Sequence, residues 1–130
     1  MKPTILLIED NEKNRYLTTF LLEQYGYRVV STSNGAHGIE LARTDTPALI
    51  LIDIQLPLMD GYAVARHLRS IESLRDVAII AVTSYAMPGD REKCLGAGCN
   101  GYIEKPINPE TFVAEIAHFI TVPDSGNGGI

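Results

Sequence analysis

Four short runs in this chain end in residues that could do chemistry together: Ile8-Glu9-Asp10, Ile52-Asp53, Val82-Thr83-Ser84 and Ile103-Glu104-Lys105-Pro106. Each polar group closes an apolar stretch, so each is expected at the end of a strand. In an open α/β sheet, ligands bind in the crevice outside the carboxyl ends of the strands. If the strands carrying Glu9-Asp10 and Asp53 are neighbours, three carboxylates converge at one edge, faced by Lys105 and a hydroxyl. Crowded carboxylates repel one another and recruit a cation, and a hard, oxygen-rich site with one or two carboxylates plus waters suits Mg²⁺. Beside such a cation Asp53 could attack a phosphorus atom, because the metal offsets the charge that builds on the transferring oxygens. Lys105 would add a second positive charge. Thr83 and the backbone N–H of Ser84 could donate hydrogen bonds to the new phosphoryl group, and Gln55 would offer its backbone carbonyl to the metal.

Taken singly, these residues have plainer readings. Glu9-Asp10 could be a strand end followed by a helix entry, and Asp53 a turn residue. Thr83 alone is an ordinary β-branched strand residue and Tyr102 an ordinary half-buried aromatic. A carboxylate closing a run as apolar as Ala48 to Ile52 is costly without a partner, however, and it is the set that favours function. His37, His67 and His118 fall on different helices and suit exposed or packing roles. Gly35, Gly38, Gly96 and Gly98 suit helix ends or close packing. No G-x-G-x-x-G or Walker pattern follows a strand, and the first loop is acidic where a pyrophosphate would need bare N–H groups.

The elements that must position these residues alternate along the chain. Strands are predicted at Thr4 to Glu9, Arg28 to Thr32, Ala48 to Asp53, Val77 to Val82 and Gly101 to Glu104. The nearly unbroken apolar first, third and fourth suit a parallel sheet buried on both faces. Helices are predicted at Glu12 to Tyr25, Gly35 to Arg43, Gly61 to Ser70 and Pro88 to Ala97, with a last one opened by Asn108-Pro109-Glu110 as cap, N1 proline and first-turn acid. In the first, Leu17, Phe20, Leu21 and Gln24 share helical spacing. In the last, Phe112, Ile116 and Phe119 share a face with Val113 and Ile120. One domain is expected over residues 1–121, followed over 122–130 by a flexible, glycine-rich tail too short for a second domain.

A length of 130 residues, 45% hydrophobic and 21% charged, fits one core. The net charge of −5 would repel a phosphate backbone, which argues against direct DNA or RNA binding. No apolar run approaches the roughly 20 residues a membrane span needs, so a cytoplasmic location is expected. Cys94 and Cys99 form neither a C-x-x-C pair nor a disulfide framework and read as reduced, packed thiols.

Ile8-Glu9-Asp10-Asn11, the run from Asp53 through Pro57 to Met59-Asp60-Gly61, Ala81-Val82-Thr83-Ser84 and Tyr102-Ile-Glu-Lys-Pro106 resemble, in order and spacing, the receiver domains of bacterial two-component response regulators. The resemblance covers residues about 4 to 121. Glu9 to Glu12, Asp53 to Pro57, Ala86-Met87 with Gly89-Asp90, and Lys105-Pro106-Ile107 are most similar to the DivK-like single-domain regulators. The resemblance implies a flavodoxin-like (βα)5 three-layer sandwich with a five-stranded parallel sheet in order 2-1-3-4-5. It also implies a phosphoryl group taken from a phosphohistidine on a sensor histidine kinase or histidine phosphotransfer protein. By the same resemblance Asp53 is the acceptor, Asp10 and Asp53 bind Mg²⁺ directly, Glu9 reaches it through water and Lys105 contacts the phosphoryl group. Thr83 and Tyr102 match a pair of switch residues, and Lys105-Pro106 matches a cis bond. Position 9 departs from the family, being Glu where many relatives carry Asp; the charge is kept.

The resulting expectation is a protein-interaction switch in a phosphorelay that catalyses its own phosphorylation and slow dephosphorylation. Its donor would dock along the first helix near Asn14, Arg15 and Thr18. A downstream protein would read the fourth helix, fifth strand and fifth helix, and the chain would be a monomer or a weak phosphorylation-dependent dimer. Bulky Tyr85, two places after Thr83, could limit water access. A phosphatase working through an aspartyl-phosphate is a competing reading, weakened by Gln55 standing where haloacid-dehalogenase-type enzymes keep a second acid. A degenerate receiver-like scaffold is another, weakened by the intact acidic set.

Overall fold

The computed structural model describes residues 2–84 and 87–120; the expected tail over 122–130, and Tyr85 and Ala86, lie outside them. Strands β1 (Thr4–Ile8), β2 (Arg28–Thr32), β3 (Leu49–Asp53), β4 (Ala78–Thr83) and β5 (Gly101–Glu104) alternate with helices α1 (Glu12–Gln24), α2 (Gly35–Thr44), α3 (Gly61–Arg69), α4 (Asp90–Gly96) and α5 (Pro109–Phe119). A single 3₁₀ turn at Glu72–Leu74, which the sequence pattern did not announce, joins α3 to β4. All strand pairs are parallel and the order is β2-β1-β3-β4-β5, the flavodoxin-like arrangement. No helix among the described residues is long and apolar enough to cross a membrane.

Alternation along the strands sorts the core into two layers. Leu6, Ile8, Ile50, Ile52, Ile79 and Ala81 pack under α2, α3 and α4, while Ile5, Leu7, Leu49, Leu51, Ile80 and Val82 pack under α1 and α5. Every residue of β3 and β4 is buried, which explains why these runs carry almost no polar residue before their ends. Both cysteines are free and buried, and burial pushes the Cys99 thiol up to about 12.

Side-chain caps set most helix starts as expected: Asn11, Asn34, Asp60 and Asn108 each accept a backbone N–H from the first turn of α1, α2, α3 and α5. The fourth helix begins at Asp90 rather than Pro88, because Gly89 adopts φ 90°, outside the right-handed helical region. Asp90 Oδ2 instead accepts the Met87 N–H at 2.8 Å and closes a turn before the helix. In α1 the buried positions are Thr18 and Leu22, whereas Leu17 and Phe20 are 51% and 54% exposed. The face in contact with the sheet is therefore rotated from the apolar spacing, and two large apolar side chains remain in solvent.

Two tight features hold α3. A Cβ on Gly61 would lie 2.7 Å from both the Asp53 carbonyl oxygen and the Ile54 Cα, and the Gly61 N–H donates to the Ile54 carbonyl at 3.0 Å. Gly61→Ala should therefore lower the urea midpoint by an amount equivalent to about 2 kcal/mol, the scale of overpacking, with the slope unchanged. At the other end of α3, Arg69 gives Nε and Nη2 to the Gly98 carbonyl (3.0 and 2.7 Å) and Nη1 to those of Leu74, Arg75 and Val77 (each 2.9 Å). Nη2 also reaches Asn100 Oδ1 at 3.0 Å, an oxygen that accepts the Ile79 N–H at 2.9 Å. One guanidinium thus ties α3 to the segments entering β4 and β5.

Candidate functional site

β1 and β3 are neighbours with Ile8 paired to Ile52, so the next residues, Glu9 and Asp53, stand side by side at the strand tips. Residue parity turns both toward the α1/α5 face. One carboxylate oxygen from each of Glu9, Asp10 and Asp53 lies within 4.8 Å of the others. Glu9 and Asp53 are 4% and 5% exposed, and Asp10 faces solvent.

The two buried acids are each held individually. The Glu9 N–H donates to the Thr32 carbonyl at 3.0 Å, Arg15 Nη1 donates to the Glu9 carbonyl at 2.9 Å, and Glu9 Oε2 accepts the Asn11 N–H at 3.2 Å. Asp53 Oδ1 accepts the Gln55 N–H at 3.0 Å. Lys105 Nζ sits 2.9 Å from Glu9 Oε1 and 3.4 Å from Asp53 Oδ2, closing the ring. Burial lifts the Glu9 carboxyl above the usual carboxylate range; the bond from Lys105 opposes this, and the charge of Asp53 adds to it. One ammonium against three carboxylates leaves a local excess of negative charge on hard oxygen donors, the chemistry that a divalent cation such as Mg²⁺ matches.

β4 and β5 supply the opposite wall. The Lys105 N–H donates to the Thr83 carbonyl at 2.7 Å, and the Lys105–Pro106 bond is cis as the resemblance implied. Thr83 is 1% exposed at the end of β4. Tyr102 pairs with Ala81 and Glu104 with Thr83, so Tyr102 shares the Thr83 face of the sheet, one pleat back. Its hydroxyl is buried without a hydrogen-bond partner among the described residues, and burial, then the charge of Asp90, raises its pKa.

Two features escaped the sequence pattern. The Gln55 side chain, expected to matter only through its carbonyl, donates from Nε2 to Thr83 Oγ1 at 2.7 Å and accepts the Ser84 N–H on Oε1 at 3.3 Å. Its place two residues after Asp53 was the one available signal. Asp90 accepts from the Tyr62 hydroxyl at 3.2 Å and so links the starts of α3 and α4; nothing in the spacing pointed to this pair. The histidines do not cluster: His37 meets Thr32 Oγ1 at 2.9 Å, and His67 and His118 are exposed. Beside the acids runs a groove of about 680 Å³, lined among others by Asn14, Leu17, Phe20, Leu21, Lys105 and Pro106.

The model of the response regulator receiver domain matches residues 5–117. The polar-differentiation response regulator DivK of Brucella anthropi is 41% identical over 120 residues, covering 92% of this chain and 98% of that protein, and DivK of Brucella ovis is equally similar. The receiver domain of sensor histidine kinase PA1611 from Pseudomonas aeruginosa, crystallised with a magnesium ion coordinated in its active site cleft, aligns with a TM-score of 0.85 at 37% identity, covering 92% of this chain and 98% of that one. Vibrio cholerae chemotaxis protein CheY4, at 22% identity, shares the fold with a TM-score of 0.88 over 92% of this chain and all of that one. Matched along nearly its whole length in sequence and in topology, the chain belongs to the response regulator receiver domain family.

Proposed function

We propose that the chain is a single-domain response regulator that accepts a phosphoryl group on Asp53 in a Mg²⁺-dependent reaction and thereby switches protein contacts in a phosphorelay. The observation that carries this reading is the meeting of Glu9, Asp10 and Asp53 within 4.8 Å, with Lys105 Nζ against two of them. The donor set fits a magnesium ion held by Asp10, Asp53 and the Gln55 carbonyl, with Glu9 acting through water, and the magnesium in the PA1611 receiver domain supports that assignment. When bound, the ion supplies positive charge against the transferring oxygens.

The residues of the chain do the rest. An Asp53 carboxylate oxygen bonds to phosphorus while the P–N bond to the donor's imidazole breaks, its electron pair leaving on that nitrogen. Lys105, already oriented between Glu9 and Asp53, moves its charge onto the phosphoryl group, and Thr83 and the Ser84 N–H donate to its oxygens. Thr83 and Tyr102 reorient together; the buried Tyr102 hydroxyl, which lacks a partner among the described residues, favours a second position where it gains one. A bias of a few kcal/mol between two states suffices for such a switch.

The groove beside the acids, with Leu17 and Phe20 half exposed on its α1 side, suits a helix of a sensor histidine kinase or phosphotransfer protein that carries the phosphohistidine. A downstream protein would read α4, β5 and α5. The similarity to DivK supports a cytoplasmic switch of this kind, acting as a monomer or weak phosphorylation-dependent dimer without direct DNA contact. Incubated with Mg²⁺ and acetyl phosphate, the protein should gain one phosphoryl mass in an intact-mass spectrum, and no adduct should form when excess EDTA is present from the start. The absence of any adduct in Mg²⁺ would overturn the reading.

A further inference from the structure

We propose that Cys94 and Cys99 form a modification site, a thiol pair that a hydroperoxide oxidises to an intramolecular disulfide clamping the end of α4 to the chain that enters β5. Nothing in this step uses Asp53 or its neighbours. The corner after α4 is closed by two backbone bonds: Gly98, at φ 105°, donates its N–H to the Leu95 carbonyl at 3.1 Å, and Cys99 donates to the Cys94 carbonyl at 3.0 Å. In a helix end closed this way, the side chain that lies inside the last turn meets the one just beyond the left-handed residue. Those two positions are Cys94 and Cys99. They are 0% and 5% exposed and belong to one core cluster. A disulfide needs Cα atoms roughly 4.4–6.8 Å apart. The direct bond from the amide of Cys99 to the carbonyl of Cys94 holds the two backbones at that kind of approach.

The closed corner does not react. The thiolate is the nucleophile, and burial, then the neighbouring Cys94, push the Cys99 thiol up to about 12. Reaction belongs to the opened corner. α4 is seven residues long and, unlike α1, α2, α3 and α5, starts without a side-chain cap, so it opens at lower cost than the sheet. With hydrogen peroxide, one thiolate then attacks an oxygen, the O–O bond breaks, and a sulfenic acid and hydroxide form. The second thiolate attacks that sulfur, the S–S bond forms and a second hydroxide leaves. The protons given up by the two thiols turn both hydroxides into water, so the pair loses two electrons and the peroxide gains them. Close in sequence, the two sulfurs find each other before they find another chain.

Hydrogen peroxide added to the native wild-type protein tests this. The chain has two cysteines, so a product lighter by two hydrogens, unable to take up iodoacetamide after denaturation and restored by dithiothreitol, is the intramolecular bond. Cys94→Ser and Cys99→Ser should gain oxygen instead. In the oxidised wild type, amide hydrogens of residues 93–97 should exchange about tenfold more slowly than in the reduced protein, because the openings that free them are tied shut. A wild type that keeps two alkylatable thiols, gains oxygen or links chain to chain would refute the site, and unchanged exchange would refute the clamp. Asp53→Asn should cross-link as wild type does, so neither result depends on the acceptor reading.

Discussion

Asp53→Asn is expected to take up no phosphoryl group from acetyl phosphate in Mg²⁺, a loss of at least about 10³-fold in adduct, the scale on which removing a covalent nucleophile acts. Its folded structure should survive intact. The amide oxygen can still accept the Gln55 N–H that Asp53 Oδ1 accepts at 3.0 Å. What disappears is one of three carboxylates crowded within 4.8 Å, together with a 3.4 Å contact to Lys105, whose shorter 2.9 Å contact to Glu9 remains. Relief of repulsion and loss of attraction oppose each other, and the local excess of negative charge makes relief the larger. The urea midpoint in EDTA should therefore equal or exceed that of wild type, while the stabilisation by added Mg²⁺ shrinks. Intact mass and denaturation on the same sample separate the two effects. An adduct persisting in Asp53→Asn would place the acceptor elsewhere.

Arg69→Ala should destabilise the fold by about 3 kcal/mol, because one half-buried side chain makes six hydrogen bonds. The guanidinium satisfies the carbonyls of Leu74, Arg75, Val77 and Gly98 and the side chain of Asn100. Truncation strands those acceptors, several of them shielded from water, and loosens the approaches to both β4 and β5. Arg69→Lys should recover little, because one ammonium cannot reproduce a planar fork aimed at two segments. Urea denaturation would register both variants as lower midpoints. A shift under about 1 kcal/mol would mean that water replaces the guanidinium freely.

The strand runs and four of the five helix starts were legible because each depends on local chemistry: apolar continuity, an Asn or Asp cap, a proline at N1. The start of α4 was not, since Pro88 reads as a first-turn proline and only the left-handed Gly89 excludes it. The α1 face was misjudged for a related reason. Leu17 and Phe20 have the spacing of a buried stripe, yet the helix is rotated so that Thr18 and Leu22 meet the sheet. At the site, the acids and Lys105 were legible because charges that end apolar strands stand out against their background. The roles of the Gln55 side chain and of Arg69 were not, since an amide in a loop and an arginine at a helix end are unremarkable until the tertiary fold brings β4, or four carbonyls, within reach.

The placement of Glu9 and Asp53 at adjacent tips of a parallel ladder has one more consequence. Their separation is inherited from the Ile8–Ile52 pairing deep in the sheet, and strands such as β1 and β3 open only when the entire domain opens. Amide hydrogens of residues 50 to 52 should then exchange through global unfolding alone, whereas those of the loops bearing Gln55 and Ser84 exchange through local fluctuations. The acidic pair would thus stay rigid on every timescale shorter than denaturation, and any rearrangement that carries a signal would be confined to the softer rim around it.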